Sequence, residues 1–158
     1  MYQVRRWVTR HPRTFEKLYN VFESILIMLA PIFRWIGFER LEMPMITFEK
    51  VIKGFLFDSQ MCGMCTLSKT GMACPMNCPK TLRNGPCGGV RSNGTCEVKP
   101  EMACVWVDAF EGSRLMKYPQ TIEQLQPAVD HRLQGRSSWL REVRIKTEEI
   151  NKSVKSSH

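Results

Sequence analysis

Every cysteine of this chain lies between Cys62 and Cys104. There are seven of them: Cys62, Cys65, Cys74, Cys78, Cys87, Cys96 and Cys104. Thiolates are soft metal ligands, and thiols can also pair as disulfides, so a segment this dense in sulfur points to one of those two chemistries. The residues between them are rich in Gly, Pro and Asn and poor in large apolar side chains. Hydrophobic burial within such a segment cannot hold it, and something else must tie its loops together. The order is Cys62-x2-Cys65-x8-Cys74-x3-Cys78-Pro79, followed by Cys87, Cys96 and Cys104 at near-even intervals. A C-x2-C pair offers two thiolates from one tight turn whose amides point back at the sulfurs. A proline directly after a cysteine, as in Cys74-Pro75 and Cys78-Pro79, fixes the chain outside such a site and removes an N–H.

A C-x2-C start followed by a C-x3-C-P end is the arrangement of bacterial-type ferredoxin clusters, here with a stretched centre. The fourth cysteine of that pattern serves a second cluster, so the first four here need not share one. Structural zinc usually takes two C-x2-C knuckles or Cys/His pairs. This chain has one C-x2-C and no histidine between Cys62 and Cys104; His131 is the nearest. A four-cysteine zinc site leaves three thiols over, whereas two cubanes need eight ligands. The eighth would be His131, a carboxylate or a partner's side chain. The spacing favours one or two [4Fe-4S] clusters over zinc, with disulfides third. Any single thiol, Cys104 above all, also fits as a small buried hydrophobe.

The segment Arg83-Asn84-Gly85-Pro86-Cys87-Gly88-Gly89 is the most specific in the chain. Its glycines permit positive φ and close approach to an inorganic core, and Asn84 can bond its own backbone in the turn. Trp106, two residues after Cys104, reads as a lid over the site. No Ser/His/Asp set, phosphate loop or dinucleotide fingerprint is present. The expected role is therefore that of a non-catalytic subunit that moves electrons. Lys and Arg number 23 against 15 Asp and Glu, a net charge of +8. No stripe of arginine interleaved with aromatics accompanies that excess, so it reads as a solvated surface with no nucleic-acid partner.

The elements that must position the thiols lie on either side. Apolar residues Phe15, Leu18, Val21, Phe22, Ile25, Leu26 and Leu29 repeat at helical spacing, opposite Lys17, Asn20, Glu23 and Ser24. This predicts a helix over 12–30, begun by Pro12 and stopped by Pro31. Its wide apolar face calls for a cover, either the rest of the chain or a partner subunit, with a membrane surface third. Glu23, Pro31 and Arg34 interrupt the apolar stretch and no cleavage site follows, so neither a membrane span nor a secretory leader is expected. A reducing cytoplasm is the expected setting, which demotes disulfides.

Residues 32–57 read as irregular, with a short helix at Phe48–Leu56. Residues 58–104 read as loop and turn, Cys104–Met116 as a short helix, Ile122–Leu133 as helical spacing broken by Pro127, and Ser138–Ile150 as an exposed helix ending in a polar tail. The expected fold is a small, irregular, metal-stabilised cysteine-rich domain, mostly loops with little β, with flanking α-helices. Its parts are a helical docking arm over 1–50, the metal-binding domain over 51–142, and a helix end and tail over 143–158.

The runs CPKTLRNGPCGG (Cys78–Gly89), GTCEV (Gly94–Val98) and CVW (Cys104–Trp106) resemble the cysteine-rich C-terminal domain family of methylenetetrahydrofolate reductase, and SSWLR (Ser137–Arg141) is similar to that family's end. The resemblance covers about residues 55–142. It implies an accessory subunit beside a TIM-barrel subunit that carries FMN and interconverts 5,10-methylene- and 5-methyltetrahydrofolate. It also implies that Cys62, Cys65, Cys74, Cys78, Cys87, Cys96 and Cys104 bind iron–sulfur clusters that connect the flavin to a further electron carrier. Zinc is the family's other suggestion, and the grouping of the seven thiols stays open.

Overall fold

The computed structural model describes residues 2–85 and 87–156. Pro86, counted above among the turn residues, and the last two residues of the polar tail lie outside them. The helices are α1 (Tyr2–Arg10), α2 (Pro12–Met28), α3 (Ala30–Ile36), α4 (Phe38–Phe57), α5 (Val105–Arg114) and α6 (Ser138–Ser156). With four short 3₁₀ turns they make up 62 % of the described residues, and β structure among these is limited to two isolated bridges. The expected domain of loops held by metal is overturned. The chain is helical, and among the described residues no group of three or more His, Cys, Asp or Glu side chains is gathered as one metal ion would require.

The misreading has its source in punctuation. Pro31, Gly37 and Pro44 make residues 32–57 look irregular, yet each is accommodated. Pro31 sits in the first turn of α3, where a missing N–H breaks no intrahelical bond. The chain turns at Leu29, so that α2 and α3 are bent by 50° instead of ending in loop. Gly37, at φ +94°, separates α3 from α4. Pro44 lies inside α4, where Pro44 and Arg40 are both exposed and the carbonyl freed by the proline can turn to water. The polar tail is not frayed at its start, because α6 runs on to Ser156. No single helix among the described residues is long and apolar enough to cross a membrane; α2 and α3 pass on length and composition only as a bent pair.

Three apolar cores join these elements. Val8 of α1 and Phe57 of α4 pack with Leu67, Met72, Cys74 and Met116. Leu26, Ala30 and Phe33 of α2 and α3 pack with Trp139, Leu140 and Val143 of α6, which buries the first half of a helix expected to be exposed. Ala73 and Cys78 pack with Cys104, Val105, Trp106 and Ala109 at the start of α5. The cysteine segment thus lies between two helical cores instead of carrying a core of its own. The basic N-terminus is used within the fold: Arg5 pairs with Asp58 at 3.7 Å, Arg6 with Asp108 at 3.8 Å, and Arg13 Nε donates to the Leu115 carbonyl at 2.7 Å.

One polar knot fixes α6 to α4. Glu49 is 0 % exposed and Lys53, one turn later, is 1 % exposed. Lys53 Nζ donates to Glu49 Oε1 at 2.8 Å and to Ser138 Oγ at 2.7 Å. The Glu49 carboxylate also accepts from Ser137 Oγ at 2.6 Å, from the Ser138 hydroxyl, and from the amides of Ser138 and Trp139 at 3.3 Å each. Those amides belong to the first turn of α6, whose unpaired N–H groups and positive dipole end favour a carboxylate. Ser137 Oγ accepts the Leu140 amide at 3.2 Å and completes the cap. Trp139 lies 4.8 Å beneath the Lys53 ammonium.

Removing one partner of a buried pair strands the other charge away from water. Glu49→Ala should therefore lower stability in urea unfolding by about 3–5 kcal/mol. Lys146→Ala breaks a partly exposed pair with Glu23, 2.7 Å long, and should cost about 0–1 kcal/mol. Equal losses for the two variants would show that the knot does not hold α6.

Candidate functional site

Cys62, Cys65 and Cys74 share one narrow cleft that is partly open to solvent. Glu49, Lys53 and Ser138 of the knot stand in its wall. The Cys62–Cys65 turn begins directly beyond α4, where Asp58 in the left-handed region (φ 53°) ends the helix and reverses the chain. Gly63 sits inside the turn at φ +72°, and a Cβ there would run into the Leu133 carbonyl. Ile122–Leu133, expected as helical spacing broken by Pro127, is instead part of a strap between α5 and α6 with short 3₁₀ turns at Pro119–Glu123 and His131–Leu133. It clamps the cysteine turn from outside. The Gly135 amide donates to the Met61 carbonyl at 2.8 Å, Gln134 Nε2 donates to Gln60 O at 2.8 Å, and the Asp130 amide lies 3.3 Å from the Met64 sulfur.

The Arg83–Gly89 motif meets the cleft through Arg83. Its guanidinium is buried, with Nη2 donating to the Met64 carbonyl at 2.7 Å and Nη1 lying 3.8 Å from Cys62 Sγ. Its Nε has no hydrogen-bond partner. Asn84 does not bond its own backbone as expected. It pairs with the backbone of Gln126, donating to that carbonyl at 2.9 Å and accepting from that amide at 2.7 Å, which ties the motif to the strap. Gly85, Gly88 and Gly89 are not at positive φ. Gly85 is needed because the Trp106 ring lies against it, whereas Gly89 faces only the Glu97 carboxylate, the free end of a flexible side chain that can turn aside. Trp106 packs in the core with Cys78 and Cys104, its Nε1 donating to Leu82 O at 3.2 Å.

The four remaining thiols stand apart from the cleft. Cys78 and Cys104 are buried beside Trp106, and Cys104 also forms the N-terminal boundary of α5. Cys96 is buried on an antiparallel bridge to Val90. Cys87 is half-buried, and its sulfur accepts from the Gly89 amide at 3.4 Å and from Lys80 Nζ at 3.6 Å. Lys80 also pairs with Glu97. All seven cysteines are free thiols. His131, the expected eighth ligand, is exposed and does not line the cleft. The sequence reading missed Glu49, Lys53 and Tyr19. A cue was present: at helical spacing Glu49 and Lys53 fall on the same face of α4 as Met45, Ile52 and Leu56, a charged pair on an apolar face.

Charge in the cleft is organised around the sulfurs. Burial alone would push the Lys53 ammonium down, but the Cys65 sulfur and the Glu49 carboxylate outweigh it and hold its pKa above the ordinary lysine value. Burial, with the Cys65 sulfur beside it, pushes the Tyr19 phenol up. Burial pushes the Cys74 thiol up to about 11, and the neighbouring Cys65 and Cys62 add to this against the opposing amides of Gln60 and Met76. As a donor set for a bound group, three thiols with amides and two buried cations near them suit an anionic, thiolate-ligated species. They do not converge on one point as the four donors of a zinc ion would, at about 2.3 Å from it. A cluster of several iron atoms is ligated at its corners, from a wider ring, and the cleft offers three thiols of the four that a cubane takes.

The thiolate is the nucleophile, so a thiol with a pKa near 11 reacts faster as pH rises toward that value. In protein prepared without metal, alkylation of Cys74 by iodoacetamide, read by peptide mass spectrometry, should increase about tenfold per pH unit between about pH 7 and 10. The more accessible Cys87 should label first. Cys74 labelling that is complete at neutral pH would contradict its burial in this cleft.

A family described as methylene-tetrahydrofolate reductase C terminal matches residues 38–132. The matched stretch begins at the first residue of α4 and ends within the strap, so it holds all seven cysteines, the Glu49–Lys53 pair and Arg83. SSWLR, Ser137–Arg141, lies beyond the match, as do α1 to α3. No curated protein and no solved structure matches the chain. With more than half of its length matched, and the whole cysteine segment inside that half, the chain belongs to the methylene-tetrahydrofolate reductase C-terminal family.

Proposed function

We propose that this chain is the iron–sulfur accessory subunit of a methylenetetrahydrofolate reductase, passing electrons to or from the flavin of a partner TIM-barrel subunit in the cytoplasm. The observation that carries the proposal is the gathering of Cys62, Cys65 and Cys74 on one cleft beside two buried cations, within a chain of this family. An iron–sulfur cluster held there supplies one-electron chemistry that no side chain of the protein can supply. The chain's own residues do the rest. Cys62, Cys65 and Cys74 bind, Arg83 and Lys53 offset negative charge, and the strap restricts water at the cysteine turn. The remaining four thiols are the candidates for a second group or for structural burial.

The partner surface belongs to the same reading. Only part of the apolar face of α2 is covered by α6. Leu18, Val21, Ile25 and Met28 stay exposed, and the row continues through Ile32 to Trp35 of α3, which is 87 % exposed. Spacing of three and four residues along this row is that of a helix-packing seam. An apolar groove of about 250 Å³ runs beside it, between α2 and α4, lined by Phe15, Tyr19, Phe48, Ile52, Leu56 and Trp139. An apolar surface of this extent marks an interaction site, and the reductase subunit is the partner the family supplies.

Anaerobic purification should give protein containing iron and acid-labile sulfide with a broad visible absorbance. Serine replacement of Cys62, Cys65 and Cys74 together should remove iron, whereas Cys87→Ser should remove little. Colourless wild-type protein with stoichiometric zinc and no iron would overturn the electron-transfer reading. The docking surface is tested by point changes, because α1 to α3 contribute Val8, Leu26, Ala30 and Phe33 to the cores and cannot be deleted cleanly. Val21→Asp with Ile25→Asp should weaken co-purification with the barrel subunit and leave the thermal midpoint unchanged. Undiminished co-purification would place docking elsewhere.

A further inference from the structure

Lys53 is where the structural knot and the thiol cleft meet. An ammonium carries three donor hydrogens. Two are taken by Glu49 Oε1 at 2.8 Å and Ser138 Oγ at 2.7 Å, and the side chain lines the same cleft as Cys65. The side chain is 1 % exposed, so no mobile ion or water layer screens its charge from the cleft. Tyr19 and Trp139 close the space around it, their rings 5.8 Å and 4.8 Å away. A lysine needed only to anchor α6 could do so from Glu49 and Ser138 alone, yet this one also stands in the wall of the cleft that holds the three candidate ligands.

We propose that Lys53 is a positioning residue that sets the reduction potential of the group held by Cys62, Cys65 and Cys74, with Glu49 as its opposing charge. The assignment rests on the iron–sulfur reading above and goes beyond it by naming what tunes the site. In the redox step one electron enters from a reductant, the flavin of the partner or dithionite in vitro, and no bond is made or broken. The added negative charge lies beside the Lys53 ammonium, which favours the reduced state. Glu49 acts in the opposite sense, from the same wall and through the same Lys53 Nζ. Two fixed charges of opposite sign therefore give opposite effects on removal, a signature that loosened packing does not produce.

The test is a dithionite titration of the anaerobically purified full chain with redox mediators, followed by electron paramagnetic resonance. Lys53→Gln should disfavour reduction by about tenfold in the equilibrium constant, a fall of about 59 mV for a one-electron couple. Glu49→Gln, which keeps a hydrogen-bonding side chain at the cap of α6, should raise the potential by a similar amount. Lys53→Arg should stay near wild type. If Lys53→Gln does not fold, the sign of the Glu49→Gln shift decides. Shifts in the same direction, or no shift in a variant that loads its cluster, overturn the role of Lys53 and leave the iron–sulfur reading standing. Wild-type protein that loads no iron and sulfide overturns both.

Discussion

The buried pair of Glu49 and Lys53 is the constraint on which the other contacts depend. Taking two unit charges out of water costs several kcal/mol per ion, and their mutual attraction offsets this only when every remaining donor and acceptor is bonded. Here the bonding is nearly complete. Glu49 receives the hydroxyls of Ser137 and Ser138, two amides from the first turn of α6, and Lys53; Lys53 gives to Glu49 and Ser138. That set can be met in one register of α6 on α4. The knot therefore specifies how the last helix docks as much as it stabilises it. Once α6 is placed, Trp139, Leu140 and Val143 must fall against Leu26, Ala30 and Phe33, and the bent α2–α3 arm is fixed in turn.

From that frame the cysteine segment acquires its shape without a core of its own. Its first half is held by α1 and the end of α4 through Val8 and Phe57, and its second half by α5 through Val105, Trp106 and Ala109. Between these anchors the loops are joined by single well-placed bonds. Asn84 pairs with Gln126, the Gly135 amide reaches Met61, and Tyr2 Oη accepts the Ala103 amide at 2.8 Å across most of the chain length. Each satisfies backbone groups that a Gly- and Pro-rich loop cannot satisfy by itself. The expectation that metal must supply the cross-links underestimated how much helices on both sides can supply.

What was legible in the sequence follows from which signals are local. The periodicity of α2 and the helix read over Ser138–Ile150 depend on neighbours within a turn or two, and both mark real helices. The prolines misled because their effect depends on position. Pro31 opens α3 and Pro44 is tolerated inside α4, while the same residue type between true loops would end a helix. Long-range partners left no local trace. Asn84 was read as bonding within its own turn, since nothing near it announces Gln126. Glu49 and Lys53 look like an ordinary solvated i, i+4 pair until the face of α4 on which they lie is counted. The thiols were fully visible as residues, but their division was not, because Cys74 and Cys78 are only four positions apart and still turn to different sides of the chain.

That division bears on the odd number of cysteines. A C-x2-C…C-x3-C-P run invites the reading that its four thiols act together. The short 3₁₀ turn at Pro75–Asn77, stiffened by a proline on its entry and followed by another after Cys78, rotates the chain between the third and fourth thiol. Cys74 then faces the cleft with Cys62 and Cys65, and Cys78 faces Trp106 with Cys104. The seven thus divide into three thiols on the cleft, two (Cys78 and Cys104) packed against α5, and two (Cys87 and Cys96) in neither place. The two sides also differ in charge: Lys53 and Arg83 stand over the first, while the second is lined mainly by Trp106, Val105 and Ala109. The same residue type therefore lines a cleft on one side of the turn and packs in an apolar core on the other.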